Sequence, residues 1–81
     1  MNCLELLNHV VMLLQTEGER GRGTMFLIID QGTFSVTRTP PRDDPDAIVA
    51  SYDCLTFCTG LTPRQYYSLM LKVDKAFSGK L

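Results

Sequence analysis

Met25-Phe26-Leu27-Ile28-Ile29-Asp30-Gln31-Gly32-Thr33-Phe34-Ser35-Val36 is the stretch on which the fold turns. Residues 25–29 are apolar without interruption, which suits a strand with neighbours on both sides of it. Asp30-Gln31-Gly32 then reads as a tight turn, with Gly where a positive φ is needed. Beyond it, Phe34 and Val36 alternate with Thr33, Ser35 and Thr37, the pattern of a strand with one buried face. The two segments predict an antiparallel hairpin.

Working outward from the hairpin, Pro40-Pro41-Arg42-Asp43-Asp44-Pro45-Asp46 is polar, and its three prolines keep it out of regular structure. Residues 47–51 are short and rich in β-branched side chains, so a third strand is expected. Asp53 is placed to cap a short helix through Cys58, which Gly60 would terminate. Thr62-Pro63-Arg64-Gln65 opens another helix: Thr caps, Pro occupies the first helical position and Gln closes a capping box. Two readings stand open for residues 69–77. Tyr66, Leu69, Met70, Val73 and Phe77 have helical spacing, whereas Leu69, Leu71 and Val73 alternate with Met70, Lys72 and Asp74 as in a strand.

Upstream, residues 3–16 predict a helix that carries Cys3, Leu6, Leu7, Val10, Leu13 and Leu14 on one stripe, widened by Leu4 and Val11, with Asn2 as its N-cap. Gly18-Glu19-Arg20-Gly21-Arg22-Gly23 is expected to end that helix and to form a loop. The chain divides into an N-terminal helical part, 1–17, and a sheet-containing part, 24–81, within a single domain of 81 residues.

Composition narrows the function classes. Eight basic and nine acidic side chains give a net charge of −1, so the footprint of a nucleic-acid binder is missing. The apolar run at residues 10–14 is too short to span a bilayer, and no cationic segment of a signal peptide precedes it. Three cysteines form no disulfide framework. A reducing, cytoplasmic setting is expected.

The order of these elements resembles the sterol carrier protein type 2 family of lipid-binding domains. The residues that carry the resemblance are Asp30-Gln31-Gly32, Asp46-Ala47-Ile48-Val49, the segment from Asp53 to Thr59-Gly60, Thr62-Pro63-Arg64-Gln65-Tyr66-Tyr67, Leu71-Lys72-Val73-Asp74 and Lys80-Leu81. Leu69 and Lys75 stand where the family usually has Gly, so the helix opened by Thr62 could run on to Phe77. The N-terminal part is also shorter than the family's. The resemblance implies an α+β fold, an antiparallel sheet of three or more strands with helices on one face. It also implies an apolar site lined by Leu55, Phe57, Tyr66, Tyr67 and Leu69. Ordinary core packing is the alternative reading of each of those side chains.

Helical rotation puts Tyr66, Leu69, Met70 and Val73 on one stripe for the core and leaves Tyr67 off it, at the mouth of a site. Cys54 and Cys58 share a helix face, but with one His and one distant Cys they make a poor zinc set. His9 reads as a helix-surface residue and Gly21-Arg22-Gly23 as a connector. Asp43, Asp44 and Asp46 lack the alternation of a calcium loop. No catalytic residue, metal or cofactor is therefore expected. The expected function is non-catalytic binding or transfer of a fatty acyl, sterol-like or isoprenoid ligand in a groove between sheet and helices. The alternative is a small homodimeric protein-interaction module without a lipid.

Overall fold

A computed structural model describes residues 2–78; Lys80 and Leu81, the end of the family-like series, lie outside the described residues, as does the side chain of Cys3. Helix α1 spans Cys3–Arg20, and strands β1 and β2 span Thr24–Asp30 and Thr33–Thr37. A single 3-10 turn at Pro45–Ala47 leads into β3, Ile48–Asp53, followed by α2, Cys54–Thr59, and α3, Pro63–Ser78. The strands form one antiparallel sheet in the order β2-β1-β3, so the uninterrupted apolar strand is the central one. The hairpin register sets Leu27 opposite Val36 and Ile29 opposite Phe34. Its turn has positive φ at both Gln31 and Gly32, 53° and 77°. That pair of angles matches the right-handed twist of the flanking strands.

Met25, Leu27 and Ile29 point to one face of the sheet and are 0%, 0% and 3% exposed. All three helices cover that face. Leu6, Leu7, Val10 and Leu14 come from α1, Cys54 and Phe57 from α2, and Leu69 and Val73 from α3, forming one cluster with Phe34 of β2. Each fully buried Leu in such a cluster contributes about 1.5–3 kcal/mol through removal from water. On the opposite face Phe26 and Ile28 are half-buried. The third strand starts at Ile48, one residue later than expected, because Ala47 completes the 3-10 turn. Ala50 lies opposite Leu27 and Ile48 opposite Ile28, which leaves Val49 as the extra residue of a bulge.

The helix caps are local and follow the sequence. Asn2 Oδ1 accepts from the Glu5 amide at 2.8 Å, and Asp53 Oδ1 accepts from the Leu55 amide at 2.8 Å. The Thr62 hydroxyl accepts from the Gln65 amide at 3.2 Å, while Gln65 Oε1 accepts from the Thr62 amide at 2.9 Å. Gly60 ends α2 with φ 93°.

The end of α1 departs from expectation. Residues 18–20 are not a loop: α1 continues through Gly18 to Arg20. A Cβ on Gly18 would stand 3.2 Å from the Cys54 carbonyl oxygen and 3.3 Å from Phe57 Cβ. The glycine therefore permits α1 and α2 to touch, and that contact offsets its cost of about 1 kcal/mol within a helix. Arg38 then fastens the end of α1: its guanidinium donates to the carbonyls of Glu17 and Arg22. Of the two readings open for residues 69–77, the helical one holds. These residues are helical to Ser78, with Leu69 and Val73 buried while Leu71, which a strand would place beside them, is 49% exposed.

Candidate functional site

The five side chains expected to line one apolar site are divided between core and surface. Phe57 and Leu69 are buried in the central cluster. Leu55, at 65%, and Tyr67, at 59%, are exposed on α2 and α3. Tyr66 departs from its expected place in the core: it is 36% exposed. Its helical direction is that of the buried stripe, but it stands in the first turn of α3, where less of the body reaches over it. Leu71, which was not among the expected site residues, joins Tyr67 one turn further along the outer side of α3. Its signal was available: an apolar residue four positions after Tyr67 and off the Leu69/Val73 stripe.

Between sheet and helices, Val10, Leu14, Met25, Leu27, Leu69 and Val73 are all 0% exposed. Open hollows lie on the described surface. One, of about 420 Å³, lies between α1 and β2 and includes His9, Met12, Ser35 and Val36. A second, of about 510 Å³, lies where α1 ends against α2 and includes Gly18, Arg22, Cys54, Leu55 and Cys58. A third, of about 330 Å³, lies between α2 and the start of α3. Of the five expected lining residues, Leu55 borders the last two.

The thiols are held by the fold. Cys54 Sγ accepts from Arg38 Nη1 at 3.3 Å, and Cys58 Sγ donates to the Gly18 carbonyl at 3.4 Å. Among the described residues no three His, Cys, Asp or Glu side chains converge as metal ligands would. Asp43, Asp44 and Asp46 are exposed on the loop before β3, where the Asp44 carbonyl accepts from the Ala47 amide.

Tyr52, which sequence reasoning passed over, ties three elements together. Its ring meets Phe57 edge to face, with centroids 5.3 Å apart and planes at 89°, and Lys72 Nζ sits 5.8 Å from its centroid. The Tyr52 hydroxyl is buried and has no hydrogen-bond partner among the described residues. Burial raises its pKa above the ordinary tyrosine value, because the phenolate would lose its water. The unfolded chain therefore releases this proton first. The stability due to the neutral phenol is complete below about pH 10 and is lost as pH rises through the folded-state value. In Tyr52→Phe, urea unfolding should show equal or slightly higher stability at neutral pH and a shallower alkaline loss than wild type. Lysines and the other tyrosines are common to both proteins and cancel in that difference. A gap between the two that does not change with alkaline pH would overturn this account.

No helix among the described residues is long and apolar enough to cross a membrane. Compared with known proteins, the chain matches no family model, no curated protein and no solved structure.

Proposed function

We propose that this domain is a protein-interaction module that meets its partner through the outer side of α3. The observation that carries the reading is the pairing of Tyr67 and Leu71, two exposed large apolar side chains one turn apart on the side of α3 turned away from the core. Aromatic side chains with polar tips are favoured at interfaces, since the ring is buried while the hydroxyl keeps a hydrogen bond. A partner can cover this surface without any rearrangement of the domain. A lipid seated between sheet and helices would instead have to displace Leu14, Leu27 or Leu69, each 0% exposed. Opening such a core forfeits about 1.5–3 kcal/mol for each large side chain returned to water.

Site-specific photo-crosslinking in intact cells tests the reading. A benzophenone amino acid is placed at position 67 or 71 and, as a control, at position 42 in the loop before β3. Discrete protein adducts at 67 and 71, absent at 42, are the expected result. Lipid adducts at 67, or the same adducts from all three positions, would overturn it.

A further inference from the structure

Helix α3 carries a second stripe beside the one that packs on the core. Arg64, Tyr67, Leu71, Asp74 and Ser78 follow the alternating three- and four-residue spacing of a helix-pairing seam, and all five are exposed. At 100° per residue they centre on the side of the helix turned away from Leu69 and Val73. The seam has apolar residues in its middle and opposite charges at its two ends.

That charge order selects an orientation. In a parallel pair of identical helices each residue faces its own copy, so Arg64 would oppose Arg64 and Asp74 would oppose Asp74, both repulsive. In an antiparallel pair with its two-fold axis at the level of residue 69, residues equidistant from 69 meet. Arg64 then faces the second copy's Asp74, and Tyr67 faces the second copy's Leu71, each contact occurring twice. The helix dipoles agree. Arg64 sits in the first turn of its own helix, the end that disfavours a cation, and Asp74 sits toward the opposite end, which disfavours an anion. An antiparallel neighbour brings Arg64 beside its C-terminal half and Asp74 beside its N-terminal half, which reverses both effects. Asp74 also interacts within its own chain, and a carboxylate has lone pairs for a further donor.

We infer that the partner of the outer α3 surface is a second copy of this chain, paired antiparallel through Arg64, Tyr67, Leu71 and Asp74. This inference rests on the interaction reading above and names the partner. A seam confined to one four-turn helix is small beside the roughly 2,000 Å² or more of permanent dimers, so the dimer forms and dissociates with concentration.

Sedimentation equilibrium of the purified full chain over a range of concentrations tests it, with circular dichroism checking that each variant is folded. Wild type should show a monomer–dimer equilibrium. Arg64→Glu and Asp74→Arg should each weaken the dimer by about tenfold, because each turns two symmetric attractions into repulsions. The double variant Arg64→Glu/Asp74→Arg should regain wild-type affinity, since the antiparallel pairing restores opposite charges. A parallel pair would leave it repulsive. Tyr67→Ser should weaken the dimer without restoration by either charge change. A chain that stays monomeric throughout, a dimer indifferent to the single changes, or a double variant that does not recover would overturn the inference. Crosslinks at position 67 to a different protein would overturn the second-copy assignment and leave the interaction reading standing.

Discussion

Replacing Phe57 by Ala is expected to lower the unfolding free energy by about 3–5 kcal/mol, against a total of roughly 4–12 kcal/mol for a chain of this size. The side chain is 6% exposed, and its ring takes the edge-to-face contact with Tyr52. Alanine keeps the Cβ that faces Gly18, so the loss falls on the ring, on its contact with Tyr52 and on its place in the core cluster. Collapse of the site is hindered, because Gly18 has no side chain to move in and the bulge at Val49 already sets the path of β3. The cavity contribution therefore adds to the loss of buried area. Urea denaturation with a two-state fit measures the change. A loss below about 1 kcal/mol together with weaker binding of an apolar fluorescent probe would return Phe57 to the lining of a ligand site.

The elements that could be read in advance are those whose signals are local. The hairpin is encoded within twelve residues, and its turn needs Gly32 at a positive φ whatever lies around it. Asn2, Asp53 and the Thr62/Gln65 box act on amides two or three residues away, so the cap identifies the helix start without knowledge of tertiary structure. Gly18 could not be read in the same way. As a local signal a glycine followed by Gly21 and Gly23 ends a helix, and the reason it does not is a contact with Cys54 and Phe57, more than thirty residues later. Arg38 is similar: its hold on the Glu17 and Arg22 carbonyls depends on the sheet bringing the end of β2 beside the end of α1.

The candidate site was legible only in part for a related reason. Periodicity gives the direction in which a helical side chain points but not whether anything stands there to cover it. Tyr67 was read as lying off the core stripe, and it does. Leu71 lies off the core stripe only in a helix; in a strand it would share a face with Leu69 and Val73. Leu55 and Phe57 are two residues apart on a short helix and thus face different directions, so one is exposed and the other buried. A list of apolar residues drawn up as one lining could not separate them.

Leu69 and Tyr66 provide the second large contrast, because both were assigned to one stripe of α3. Leu69→Ala should cost about 2–5 kcal/mol, the range for truncating a fully buried Leu. Leu69 is 0% exposed in the middle of α3 and belongs to the cluster that joins this helix to α1 and the sheet. Tyr66→Ala should cost less, about 1–2 kcal/mol, as for a partly covered side chain outside the core cluster. The side chain is 36% exposed, and the Tyr66 amide is already satisfied by the Thr62 carbonyl at 2.9 Å, a bond the substitution leaves in place. Alanine also favours the helix slightly more than tyrosine does, which offsets part of the lost contact. Thermal and urea unfolding of the two single variants at low protein concentration give the comparison free of any association. Equal losses in the two variants would mean that the first turn of α3 is covered as fully as its middle. A Leu69→Ala loss below that of Tyr66→Ala would overturn the placement of α3 on the core altogether.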